Sequence, residues 1–189
     1  MDIKPILKQL KKDLKESRYY HTIGVTYTAA SLAMRYEMDP DRAILAGLLH
    51  DCAKNLPDQE NKALISKAGM EITEFEEINP ALLHAKSGYI LAKDKFGVDD
   101  DEIRHAILVH TTGCPDMNLL DKILFIADYI EPGREKQPNL KELRKEAFID
   151  IDACLLHILK DTVEYLEESG KILDPMTKNT YEYYRKDKV

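Results

Sequence analysis

The pair His50-Asp51 closes a run of seven apolar or small residues, Ala43-Ile44-Leu45-Ala46-Gly47-Leu48-Leu49. A helix apolar on every side is a buried helix. An imidazole and a carboxylate at its end lose water, which is costly unless each finds a partner. Coordination of a metal ion satisfies both at once. Asp128 stands in the same situation, after Ile123-Leu124-Phe125-Ile126-Ala127 and before Tyr129-Ile130. His21 sits near the start of a helical pattern, His84 in Leu82-Leu83-His84-Ala85, and His110 in Ile107-Leu108-Val109-His110. A lone buried Asp usually pairs with a Lys or Arg, and a lone His on an apolar face is more often a satisfied core residue. The set is what points to a metal centre: His21, His50, Asp51, His84, His110 and Asp128.

Six nitrogen and oxygen donors are too many for one catalytic ion that must keep open positions. They suit two ions sharing a carboxylate, with Asp51 the expected bridge. Imidazole and carboxylate without thiolate fit iron, manganese, zinc, cobalt or nickel, and the residues do not choose among them. Two ions about 3.5–4 Å apart suit in-line displacement at phosphorus.

Basic groups stand close to these donors. Lys54 follows Asp51 by three residues and is expected on the same helical face. Arg134 ends the segment Asp128-Tyr129-Ile130-Glu131-Pro132-Gly133-Arg134, where Pro132 stops the helix and Gly133 lets the backbone approach a ligand. Thr111 and Thr112 add hydroxyl donors after His110. The bland reading of Lys54 and Arg134 is solvated surface charge. Their placement favours phosphate binding instead, because guanidinium grips a pair of phosphate oxygens. Asp51, Lys54 and Arg134 are the expected catalytic residues: the first orients water, the other two neutralise developing charge. His21, His84, His110, Thr111, Thr112 and Gly133 join them as expected substrate contacts. Two histidines serve as controls. His157 has no acidic neighbour in a comparable setting and is read as a packing residue, while His105 lies about 140° around the helix from His110 and faces elsewhere.

Helices must position these groups. Periodicity predicts them over about 3–16, 20–36, 39–53, 57–69, 79–97, 99–111, 117–131, 140–147 and 150–169. Asp39-Pro40 is a cap followed by a first-turn proline, and Gly69, Gly97 and Gly170 read as stops. Asn139 with Glu142 reads as a capping box. No segment alternates with period two, and no internal repeat or linker interrupts the chain. The tyrosine-rich tail from Asp174 to Val189 is either a short helix packed on the body or a loose end. The expectation is one all-α domain over residues 1–189, with a metal-site core at about 18–134 and C-terminal helices at about 140–189 packed on it.

At 189 residues and 44% hydrophobic, the chain can build a real core. Its net charge is -7, from 34 acidic and 27 basic residues, so non-specific nucleic-acid binding is not expected. No apolar stretch is long enough to span a membrane, and Met1-Asp2-Ile3-Lys4-Pro5 does not begin a signal peptide. Cys52, Cys114 and Cys154 are scattered without CxxC spacing, which predicts free thiols in a reducing cytoplasm. Tyr181, Tyr183 and Tyr184 are candidates for a homodimer interface.

The ordered set His21, Leu48-Leu49-His50-Asp51, His84, His110 and Asp128 resembles the HD-domain superfamily of metal-dependent phosphohydrolases, over about residues 18–134. Leu49-His50-Asp51-Cys52-Ala53-Lys54, His110-Thr111-Thr112-Gly113 and Ala127-Asp128-Tyr129-Ile130-Glu131-Pro132-Gly133-Arg134 are similar to segments of its YqeK group. That resemblance implies an all-helical fold and symmetrical cleavage of diadenosine tetraphosphate to two ADP. It implies iron as the metal and an ADP- or GDP-like nucleotide as ligand. It places His21, His50, Asp51 and Asp128 on a first iron, with His84 and His110 on a second ion or on phosphate directly. Lys54, Thr111 and Arg134 would then hold the departing diphosphate. The alternatives are another HD-type activity, on a nucleoside monophosphate or a guanosine alarmone, and a regulatory nucleotide-binding module without turnover.

Overall fold

A computed structural model describes residues 2–186. Among them the chain forms α1 (Lys4–Asp13), α2 (Glu16–Arg35), α3 (Pro40–Leu49), α4 (Asp58–Lys67), α5 (Glu74–Ile78), α6 (Leu83–Asp94), α7 (Asp101–Val109), α8 (Leu119–Ile130), α9 (Leu140–Glu146), α10 (Ile151–Glu168) and α11 (Pro175–Lys186). There is no strand among the described residues, in agreement with the all-α expectation. No helix is long and apolar enough to cross a membrane.

The centre of the fold is α3, apolar along most of its length. It packs on α2, α7 and α8, which also pack on one another in the pairs α2–α8 and α7–α8. Ala43, Ala46, Leu48 and Leu49 are fully buried there. Gly47 lets α2 and α3 approach closely, since a Cβ at that position would lie 2.7 Å from the Cα of Thr26. The helix α6 covers α7, and α4 covers α6; α10 packs on α8 and carries α9 and α11.

Local chemistry sets the boundaries. Asp39 caps α3 by accepting the N–H of Asp41 at 2.9 Å, with Pro40 in the first turn. Asp100 and Asp150 cap α7 and α10 in the same way. Asn118 and Asp121 form a reciprocal capping box at α8. Gly69, Gly97 and Gly170, the expected stops, all have positive φ.

Several boundaries differ from expectation. The central helix ends at Leu49 rather than near Ala53, and residues 50–54 continue in tighter turns, with Cys52 N–H bonded to Leu49 O and Lys54 N–H to Asp51 O. The segment 79–97 is a short 3-10 turn, Pro80–Leu82, followed by α6. The helix α5 was not foreseen, because five residues are too few for a periodic signal. Its capping box, Thr73 with Glu76, is the mark that identifies it. Asn139 does not form the expected box: it is left-handed (φ 57°) and its amide donates to Asp161 at 2.9 Å.

The C-terminal segment is a helix packed on the body, as far as Lys186; residues 187–189 of the predicted tail lie outside the described residues. Of its three tyrosines only Tyr183 is exposed. Tyr184 is buried, with its hydroxyl accepting the Met117 N–H at 2.7 Å, and Tyr181 packs against the core.

Candidate metal centre and phosphate site

The four histidines and two aspartates predicted from five separate segments come together. The rings of His21, His50, His110 and His84 follow one another edge to face, with centroids 5.4, 5.1 and 5.1 Å apart. Asp51 lies along this row, 2% exposed. Its Oδ2 faces His50 Nε2 at 3.3 Å and His21 Nε2 at 3.8 Å. Its Oδ1 faces His84 Nε2 at 3.1 Å and His110 Nε2 at 3.8 Å. Asp128 reaches in from α8, with Oδ1 at 3.0 Å from His21 Nε2. The donor atoms of His21, His50 and Asp51 lie within 4.8 Å of one another, as do those of Asp51, His84 and His110, and those of His50, His110 and Asp128.

Local bonds aim the imidazoles. In His50, His84 and His110 the Nδ1–H donates to the carbonyl oxygen three residues earlier (Gly47, Ala81 and Ile107), at 2.7 Å in each case. A carbonyl can only accept, so Nδ1 carries the proton and the Nε2 lone pair turns to the centre when the ring is neutral. This bond explains why α3 ends where it does: His50 takes the Gly47 carbonyl for its side chain. His21 makes the equivalent Nδ1 contact with Glu131 Oε1, at 3.1 Å.

This arrangement fits a divalent cation. Nε2 of His21 and of His50 is buried with no hydrogen bond, although carboxylate oxygens stand within ion-pair reach. Nε2 of His84 and Nε2 of His110 face each other at 3.2 Å. Burial lowers the His84 pKa to about 4, so its ring is neutral near pH 7. Converging buried lone pairs and carboxylates, each imidazole braced by a second partner, are the chemistry of a metal site. Burial alone would push the Asp51 carboxyl upward, but His50, His110 and His84 hold it well below the usual range. Asp128 is likewise held low against burial, by His21, His50 and Arg134. His50 is raised, because Asp51 outweighs the effect of burial.

Cationic side chains ring the carboxylates. Lys54 Nζ lies 3.2 Å from His84 Nε2, and burial lowers its pKa against the opposing pull of Asp51. Arg134 donates to Asp128 twice, to Oδ1 at 2.6 Å and to the backbone carbonyl at 2.9 Å. Thr111 and Thr112 line a cleft of about 860 Å³ beside the site, with Leu82, Leu108, Met176 and Asn179 among its other walls. Gly133 is placed differently from expectation, since its N–H is committed to Glu131 Oε2 at 2.6 Å.

Sequence reasoning missed three residues. Arg18 donates to Asp51 Oδ2 at 2.7 Å from one turn before His21. Glu131 supports His21, and Arg144 bonds the carbonyls of Ile130, Glu131 and Arg134. Glu131 carried a signal, because an acidic residue directly after an apolar helix repeats the pattern that singled out Asp51. Arg18 and Arg144 carried none, as each lies among other charged residues. His157 was misread as a packing residue. It is a third exposed and pairs with Glu146 at 3.0 Å, since α9 brings a carboxylate from eleven residues upstream. His105 faces away from the centre, as expected. It bonds the Asp121 carboxylate that caps α8, with the Cys114 thiol nearby.

The HD domain family model matches residues 18–133. A symmetrical bis(5'-nucleosyl)-tetraphosphatase of Bacillus subtilis is 38% identical over 183 residues, covering 97% of each chain. One from Staphylococcus aureus is 31% identical, covering 97% of this chain and 95% of the other. A crystal structure from Clostridium acetobutylicum, described as a predicted HD superfamily hydrolase involved in NAD metabolism, superposes with a TM-score of 0.94 at 40% identity, over 99% of this chain and 98% of that one.

Proposed function

This chain belongs to the HD domain family, and on that premise we propose that it is a metal-dependent hydrolase that splits diadenosine tetraphosphate symmetrically into two ADP. The observation that carries the reading is the division of Asp51: one oxygen turned to His21 and His50, the other to His84 and His110. A carboxylate so divided could serve two cations at once, one from each oxygen.

We take His21, His50, Asp51 and Asp128 as ligands of the first ion. His84 and His110, with the second oxygen of Asp51, hold another ion or a phosphate. Iron is the proposed metal, and manganese, cobalt, nickel and zinc suit the same thiolate-free donors. When bound, such ions act as Lewis acids toward phosphate oxygens and lower the pKa of water.

The chain's own groups position the substrate. Lys54 and Arg134, each within reach of a ligand side chain, grip nonbridging oxygens of the central phosphates and neutralise charge gathering there. Thr111 and Thr112, on the cleft wall, donate to the phosphates farther out. Asp51 orients the attacking water. Its oxygen bonds to one central phosphorus as the bond from that phosphorus to the bridging oxygen breaks. The second ADP leaves carrying the bridging oxygen, and as both ADP products ionise fully the two protons of the water are released. ADP is a stable anion when its terminal phosphate is held by Lys54, so a strong general acid is unnecessary.

We also read residues 1–189 as one functional domain of a cytoplasmic enzyme that works on free nucleotides and forms homodimers. The test is product analysis from a panel of dinucleotides, beside elemental analysis of protein prepared without added metal. ADP as the sole product supports the reading. AMP with ATP, or released inorganic phosphate, overturns it.

A further inference from the structure

Three of the four central histidines use a backbone carbonyl as the partner of Nδ1. His21 alone uses a carboxylate, that of Glu131, which sits 110 positions away in the chain and is 3% exposed. Burying a carboxylate is costly unless the fold answers each of its oxygens. Here the fold is built around it. Oε1 takes His21, and Oε2 takes the Gly133 N–H at 2.6 Å. A Cβ at Gly24 would lie 2.4 Å from Oε2, and one at Gly133 would lie 3.0 Å from both oxygens. Arg144 fixes the loop that carries the carboxylate, through the carbonyls of Ile130, Glu131 and Arg134 at 2.8–2.9 Å. Four residues from three parts of the chain, His21 and Gly24 of α2, Gly133, and Arg144 of α9, thus serve one almost fully buried acidic group.

We infer that Glu131 is a positioning residue that makes His21 the strongest imidazole donor of the four. It thereby sets the His21, His50, Asp51 and Asp128 side of the centre above the His84 and His110 side in cation affinity. The reason is electrostatic. A carboxylate on Nδ1–H fixes the tautomer, as a carbonyl does, and also pushes electron density toward Nε2, which a neutral carbonyl does more weakly. Two ion positions that share Asp51 and use the same donor types are thereby made unequal. This inference rests on the reading of the cluster as a metal centre.

The test is manganese binding to the full chain stripped with chelator, followed by the electron paramagnetic resonance signal of free Mn²⁺, for wild type and Glu131→Gln. The amide keeps size and an acceptor oxygen and removes the charge. The tightest Mn²⁺ is expected to weaken by about 10-fold or more, while any weaker class keeps its affinity. Gly24→Ala, which crowds the carboxylate and removes no polar group, is expected to cause the same selective loss; Glu131→Asp should fall between. Circular dichroism on each variant establishes that it is folded, and where Glu131→Gln does not fold, Gly24→Ala decides. Unchanged affinity, or an equal loss in every class, overturns the role given to Glu131. Absence of Mn²⁺ binding by wild type overturns the metal reading itself.

Discussion

Nε2 of His84 stands 3.2 Å from Nε2 of His110, and each ring has already given its Nδ1–H to a carbonyl. Two neutral rings held this way oppose lone pair to lone pair, with Asp51 Oδ1 3.1 Å from one of them. The Lys54 ammonium, 3.2 Å from His84 Nε2, relieves that opposition on one side, and a cation between the rings would relieve it on both. The same logic runs along the whole row of histidines.

Metal removal is expected to destabilise the fold as well as stop turnover. An ion present at a hundred times its Kd contributes about 2.7 kcal/mol. For a chain of this length that corresponds to a fall in Tm of roughly 5–10 °C on chelation. Calorimetric scans with and without chelator, followed by re-addition of Fe²⁺ or Mn²⁺, check it. Identical melting curves would count against a resident ion.

Asp51→Ala is expected to reduce turnover below detection with little change in far-ultraviolet circular dichroism. The side chain is buried at the turn after α3 and takes part in no helix cap. Product chromatography from diadenosine tetraphosphate gives the answer, and substantial residual activity would remove Asp51 from the mechanism.

Lys54→Met and Arg134→Met are each expected to lower kcat/KM by about 10- to 100-fold, the scale of one lost charge-assisted hydrogen bond. Arg134→Met should have an added effect on metal affinity, because Arg134 also holds Asp128 at 2.6 Å. Lys54→Met should leave that affinity unchanged on the Asp128 side. Steady-state kinetics paired with metal titration separate the two.

Arg42 and Asp100 supply a pH-dependent contribution far from the centre. Arg42 donates twice to Asp100, which also caps α7, and these bonds lower the Asp100 pKa against burial. A depressed folded-state carboxyl stabilises the protein above its unfolded value, and the contribution is lost as pH falls through the folded value. Both side chains are partly exposed, so screening limits the effect to below about 1 kcal/mol. Arg42→Ala should therefore shift acid unfolding to slightly higher pH and leave stability at pH 7–8 lower by no more than that. Arg42 also pairs with Glu102 at 2.8 Å, so a larger change at neutral pH would mean that Arg42 does more than pair with these two carboxylates.

The helical class and the six residues that converge at the candidate centre were legible because buried imidazoles and carboxylates stand out against apolar helices. His50, Asp51 and Asp128 were read from neighbours within one turn. What was hidden depends on distant chain. Glu131 meets His21 only after α2 and α8 pack together, and Arg18 meets Asp51 only where α2 crosses the end of α3. His157 was misread for the same reason, since its partner comes from α9. Asn139 failed as a cap because a tertiary bond to Asp161 competes for its amide. The helix α5 was missed by periodicity and stayed visible only in Thr73 and Glu76.

The bonds from His50, His84 and His110 to carbonyls three positions back have a thermodynamic consequence. Each ring is immobilised within its own turn, so folding itself bears the rotamer entropy of about 0.5–1.5 kcal/mol per side chain that capture of an ion would otherwise incur. The result is a preorganised cage whose dimensions belong to the scaffold. A cation entering there would meet donors already aimed at it, with little reorganisation left to bear.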